Sequence, residues 1–182
     1  MKKKHAMEAK IYVGTYSQYN NGSLFGAWID LMEYSTKEEF YEACKELHEG
    51  EEDPEYMFQD MEGILSDMPE DWISESHVSD FVFEFVEHFK DDSDRGEAFL
   101  NWQSHAGYNG DLDYLIRKFE ESYEGEYENE TAFAEHLIEE MGWYDILKQS
   151  GINSFYFDVD AFRRDLFMGD FYFTDGVVYR NI

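Results

Sequence analysis

Alternating apolar and polar positions open the chain. Residues 10–16 (KIYVGTY) and 24–31 (LFGAWIDL) flank Asn21-Gly22. Two such runs around an Asn-Gly predict a β-hairpin with a widened loop. Thr36-Lys37-Glu38-Glu39 has the spacing of a capping box, with Thr36 at the N-cap and Glu39 reaching back. The helix it opens is expected to run to about Glu49. Phe40, Ala43, Cys44 and Leu47 fall on one face, and Glu38, Glu42, Glu46 and Glu49 on another. Gly50 to Pro54 ends it, and residues 56–61 are expected to add a short strand to the hairpin.

From Pro69 onward the period changes. Val78, Phe81, Val82, Phe85, Val86 and Phe89 recur at i, i+3, i+4, i+7, with Asp80, Glu84 and Glu87 opposite, which predicts a helix. Residues 91–96 read as a loop and 97–105 as a second helix with Phe99 and Trp102 inward. Asp111 is placed to cap a third helix carrying Leu112, Leu115, Ile116 and Phe119. Residues 120–128 are expected to be extended. Asn129 caps a helix through Met141, with Phe133, Leu137 and Ile138 apolar and Gly142 at its end. Asp158 caps a short helix to Phe167. Residues 171–174 and 177–180 flank Asp175-Gly176, a two-residue hairpin turn. Segregated rather than alternating elements predict an α+β fold. Three small subdomains are expected, elongated in series: 10–68 with a hairpin plus helix, 69–118 helical, and 119–182 with helices and a hairpin.

Charge changes this picture. The 182 residues hold 14 basic and 42 acidic side chains, a net charge of −28. Residues 1–10 carry four lysines, including Lys2, Lys3 and Lys4, without a following signal-peptide stretch, and are left out of the fold reading. Residues 11–29 carry no charge. The stretches 30–60, 61–100 and 101–142 then carry net charges of −10, −10 and −9, and the last forty residues only −2. Each acidic stretch is threaded with aromatic residues. With 43% hydrophobic and 19% aromatic content, the acids belong to folded amphipathic elements and not to a disordered tail. The near-neutral last forty residues hold eleven aromatics, so if two copies associate, contact is expected there.

Several function classes drop out. A surface this negative repels nucleic acid, so direct phosphate binding is not expected. No apolar run approaches a bilayer span. The single cysteine, Cys44, permits no internal disulfide and suggests a reducing, cytoplasmic compartment. There is no phosphate-binding glycine loop, and His48-Glu49 lacks the second histidine of a zinc helix. Residues 91–96 (DDSDRG) resemble a calcium loop, but Arg95 occupies a ligand position and Trp102 replaces the closing Glu. Asp158-x-Asp160 and Asp111-x-Asp113 read as metal carboxylate pairs or, more simply, as helix caps with a first-turn acid. Cys44, on an apolar face, reads as core. No metal, cofactor or catalytic residue is expected.

The remaining signal is the charge field. Small soluble domains need a net charge of only about 2 to 8, and −28 costs folding stability through self-repulsion. Duplex DNA carries one charge per about 1.7 Å of axis, so 28 charges equal roughly 48 Å of duplex. Acids at i, i+4 on a helix are about 6 Å apart. Several such elements in series approach the density of a duplex. On these grounds two functions are expected alike: a decoy for DNA, or, where charge alone matters, an acidic sequestering partner or chaperone of a basic, histone-like protein.

The sequence resembles the ArdA family of antirestriction proteins. The resemblance is carried by Ile11-Tyr12-Val13-Gly14-Thr15-Tyr16, Tyr19-Asn20-Asn21-Gly22-Ser23 and Gly26-Ala27-Trp28. It continues in Asp53-Pro54-Glu55-Tyr56-Met57-Phe58-Gln59-Asp60, in residues 119–127 (FEESYEGEY) and in Arg164-Asp165-Leu166-Phe167. The resemblance implies a non-enzymatic inhibitor, carried on mobile genetic elements. Such a protein mimics bent B-form DNA as an elongated homodimer and occupies the DNA groove of Type I restriction-modification enzymes, on their methyltransferase core. The phosphate-mimicking acids are then sought among residues 30–142. They are Glu38, Glu42, Glu46 and Glu49, then Glu51, Glu52 and Asp53 just after them. Asp80, Glu84, Glu87, Asp91, Asp92 and Asp94 follow in the centre. Glu120, Glu121, Glu124, Glu126, Glu128, Glu135 and Glu139 complete the set. Family dimerisation through the C-terminal domain makes Phe155, Tyr156, Phe157, Asp158, Phe162, Leu166 and Phe167 the interface candidates.

Overall fold

The computed structural model describes residues 6–182, so Lys2, Lys3 and Lys4 lie outside the described residues. Packing divides the described residues into two compact units, one ending at Asp113 and one running from Tyr114 to Ile182.

The first unit begins with an antiparallel sheet. Strands β1 (Ala9–Thr15), β2 (Ala27–Asp30) and β3 (Tyr56–Gly63) lie in the order β2-β1-β3. β1 and β2 are the expected hairpin. Its wide loop contains one helical turn, α1 (Tyr16–Asn20), capped by Thr15, whose Oγ1 accepts from the Gln18 amide at 3.2 Å. β3 joins on the far side of β1, as the pattern predicts. Ile11, Val13, Ile29 and Phe58 form the buried face. A 3-10 turn, Leu31–Glu33, leads to α2 (Lys37–Leu47). The capping box forms with one variation. Thr36 Oγ1 accepts from the Glu39 amide at 3.3 Å, while Glu39 reaches back to the Ser35 amide at 2.8 Å. α2 stops two residues before Glu49, where the chain turns at His48 and Gly50.

Short strands β4 (Ile73–Ser74) and β5 (His77–Val78) form a two-stranded ladder. Helix α3 (Asp80–Phe89) follows with Val82, Phe83, Phe85, Val86 and Phe89 buried. Asp91 and Asp92 lie outside helix, but residues 93–96 of the expected loop are instead the first turn of α4 (Ser93–Ala106). Gly96 explains the difference. It is buried, and a Cβ there would lie 3.2 Å from the Phe89 Cβ and 3.4 Å from the Phe85 ring. The glycine permits close approach of helix to helix and does not mark a turn. Phe40 of α2 meets Phe58 and Phe83, each at 5.8 Å between centroids, so sheet and helices share one aromatic core.

Helix α5 (Leu112–Ser122) crosses the division between the units. It takes up the first residues of the stretch expected to be extended, and only β6 (Tyr123–Glu126) is strand. In the second unit, α6 (Glu130–Glu140) is capped by Asn129, whose Oδ1 accepts from the Ala132 amide at 3.0 Å. Gly142, at φ 67°, turns the chain into α7 (Trp143–Gln149), an element the sequence reading does not contain. α8 (Val159–Leu166) starts at Asp158, whose Oδ1 accepts from the Ala161 amide at 2.9 Å. β7 (Phe171–Thr174) and β8 (Val177–Arg180) form the expected hairpin, with Asp175 at φ 49° and Gly176 at φ 82°. The sheet order is β6-β8-β7, and Phe133, Ala134, Leu166, Phe171 and Val178 form the core beneath it. The fold class is α+β.

Candidate protein-docking surface

Not one of the 42 acidic side chains is buried. Only Asp30, Glu51, Asp92, Asp94, Glu124 and Glu130 are even half-buried. Each acidic element achieves this by the same device, an apolar stripe inward and carboxylates outward. On α2, Phe40 and Cys44 are buried while Glu38, Glu42 and Glu46 are exposed, with Glu49 exposed just beyond. On α3, Asp80, Glu84 and Glu87 are exposed over the buried phenylalanines. Glu120 and Glu121 of α5, Glu126 of β6, Glu128, and Glu135 and Glu139 of α6 are exposed in the same way.

The predicted acids are not equivalent. Glu52 and Asp53 are exposed, but Glu51 turns inward. It accepts from Thr15 Oγ1 at 2.9 Å and lies 3.1 Å from Nδ1 of His48, a histidine only 2% exposed. Glu51 therefore ties the end of α2 to the end of β1. Glu124 is held by Arg180, whose Nε and Nη2 each donate to one carboxylate oxygen at 2.7 Å. Asp92 is the N-cap residue of α4 and Asp94 stands in its first turn, while Asp91 is exposed. Glu87 pairs with Lys90 and Glu121 with Lys118, each at 2.6 Å. Arg163 similarly spends its charge on Glu130 at 2.6 Å. Local pairing of the scarce cations leaves the surplus of carboxylates facing water.

Exposed acids missing from the predicted set include Asp60 and Glu62 on β3 and Glu70 and Asp71 after it. Alternation along residues 56–62 carries the signal for the first two. Asp158 and Asp160 act at the start of α8 as cap and first-turn acid, the simpler of the two readings. Among the described residues no group of His, Cys, Asp or Glu has the arrangement of a metal site. Burial pushes the Cys44 thiol up to about 12, far from the thiolate a nucleophile needs.

The interface candidates fall into three settings. Phe155 and Tyr156 project into solvent, 87% and 81% exposed. With Phe157, Asp158 and Glu135 they line an open hollow of about 540 Å³. Phe162 packs on Trp143 at 5.0 Å. Leu166 and Phe167 belong to the unit's own core. Ile146 and Ile152 add further exposed apolar surface along the same stretch of chain.

The family model of the antirestriction protein ArdA matches residues 11–180. The chain belongs to the ArdA family of antirestriction proteins. No curated protein matches it. ArdA membership covers both units and every acidic element described above. It fits a chain whose described residues offer exposed carboxylates and exposed aromatics. No helix among them is long and apolar enough to cross a membrane.

Proposed function

We propose that this ArdA protein is a DNA decoy that occupies the DNA-binding groove of a Type I restriction-modification enzyme, on its methyltransferase core. The observation that carries the reading is the combination of a −28 charge with a surface that receives all 42 acids, while aromatic cores hold the fold. Binding is electrostatic competition, and no bond is made or broken. Duplex DNA gives up condensed cations when a basic groove neutralises its phosphates, and a dense carboxylate surface gives up its own counterions there in the same way. Individual acids contribute little, because exposed charges are screened and numerous.

The segments 10–68, 69–118 and 119–182 serve as successive stretches of the decoy. Two copies associate through the aromatic, near-neutral part of the last segment, with Phe155 and Tyr156 at the contact. Pairing there joins the least charged stretch of each copy and doubles the charge the decoy carries.

Calorimetric titration of a Type I methyltransferase core tests the proposal. The free core is expected to bind the protein tightly, and the core saturated with its target duplex is expected to bind it with a lower apparent affinity that falls further as duplex is added. Equal binding to both forms would contradict competition for the groove.

A further inference from the structure

Directly opposed residues of neighbouring strands share one face of a sheet. Lys10 stands opposite Asp30 on β2 and Glu62 on β3, and Tyr12 stands opposite Trp28 and Asp60. Two rows therefore cross the three strands on the face turned away from the core: Asp30–Lys10–Glu62 and Trp28–Tyr12–Asp60. This face is open. Trp28 is 40% exposed, and Asp60 and Glu62 are exposed. The indole and phenol rings meet edge to face at 5.4 Å. The Tyr12 hydroxyl donates to the Leu24 carbonyl at 3.0 Å, which fixes its ring against the β1–β2 connection.

Open aromatic rings bordered by carboxylates have a defined ligand chemistry. An aromatic face attracts a cation, and tryptophan does so best. Guanidinium fits better than ammonium, because it is planar, weakly hydrated and able to stack while its edge donates to carboxylates. Lys10 is the one cation in these two rows. It is committed to Glu8 at 2.6 Å, and the hydrogen bond and charge of Glu8, with Asp30 and Glu62, raise its pKa. The face thus keeps a net negative charge with an internal counterion at its centre.

We infer that this face seats an arginine side chain from the basic protein surface that the decoy engages. Its guanidinium stacks on the Trp28–Tyr12 pair and donates to Asp60 and Glu62. The inference rests on the decoy reading and adds a stacking contact outside the helical acid stripes. Lys10 opposes the incoming cation, so it limits affinity at this point. That gives the site a signature opposite in sign to its acids.

The test uses displacement of labelled duplex from a Type I methyltransferase core by the full chain. Trp28→Leu removes the π face and keeps an apolar side chain. It is expected to weaken displacement about two- to fivefold, with Trp28→Phe retaining most of the potency. Asp60→Asn keeps the oxygen that accepts from the Met61 amide at 2.9 Å and is expected to weaken displacement. Lys10→Gln is expected to strengthen it. Thermal unfolding of each variant separates these effects from loss of fold. Unchanged potency in Trp28→Leu, or a weaker Lys10→Gln, would overturn the inference while leaving the decoy reading intact. Failure of the wild-type chain to displace duplex would overturn the decoy reading itself. In that event a nona-arginine peptide, titrated while the indole N–H signals are followed by NMR, still decides the chemistry of the face. Trp28 is expected to shift most among the four tryptophans, and a stationary Trp28 signal would refute the site.

Discussion

Burial at single residues sets how this protein answers to pH. Tyr172 and Tyr179 stack at 5.0 Å in the C-terminal sheet, and burial raises both, Tyr172 to about 12. Cys44 is raised to about 12 in the same way. A group that keeps its proton longer when folded stabilises the fold fully below its unfolded pKa, about 9 to 10 here. That stability is lost as pH rises toward 12. Urea midpoints are therefore expected to hold near pH 8 and to fall between pH 9 and 12, with Tyr172→Phe flattening part of the fall. A midpoint constant across that range would contradict the burial argument. The neighbours Glu51 and Glu52 make a second contrast. Glu51→Gln weakens charge-assisted bonds to Thr15 and His48 and is expected to cost about 1–2 kcal/mol, whereas Glu52→Gln is expected to change stability by less than about 0.5 kcal/mol. Denaturant titration of the two variants checks the difference.

Among the elements, α2 shows most plainly how acid content and folding coexist. Glu38, Glu42 and Glu46 repel one another at i, i+4 spacing, yet Phe40 and Cys44 hold the helix to the core. Replacing all three glutamates by glutamine is expected to leave Tm unchanged or slightly higher and to weaken inhibition of restriction by a graded amount. Complete loss of inhibition from any one of the three single replacements would contradict a distributed surface. Much of this architecture is legible in the pattern, because caps and turns are local chemistry. Thr36, Asn129 and Asp158 cap as their spacing predicts, and Asp175-Gly176 turns where two left-handed residues are needed. The misreadings involve information that is not local. Gly96 looks like a loop residue until Phe85 and Phe89 are packed against it. α7 follows directly on a glycine that also ends a helix, so its start carries no separate signal. Among the candidate acids, outward placement is readable from periodicity. The inward turn of Glu51 is not, since it depends on Thr15 and His48, both distant from a simple face pattern.

For the molecule as a whole, the charge bookkeeping and the exposed aromatics make separate demands. The proposed pairing uses the C-terminal stretch because its net charge is only −2 over the last forty residues. Phe162 is a poor probe of that contact because it packs on Trp143 within its own chain. Phe155→Glu combined with Tyr156→Glu changes side chains that are almost wholly exposed. In light scattering, the wild type is expected near twice the 21.7 kDa chain mass and the double variant near the single mass, with unfolding temperature retained. A double variant that keeps the wild-type mass would remove these residues from the interface. Losing the pairing is also expected to weaken inhibition, because each copy then offers only its own charge, roughly that of 48 Å of duplex.

The central claim is competition for a DNA groove, and displacement at two salt concentrations tests it most directly. A Type I methyltransferase core carrying labelled target duplex is titrated with the protein at 50 mM and 200 mM salt. The account predicts release of the duplex at both, with the core's direct affinity for the protein, measured in parallel, falling steeply as salt rises. Retention of the duplex at large excess of protein, or an affinity indifferent to salt, would contradict it.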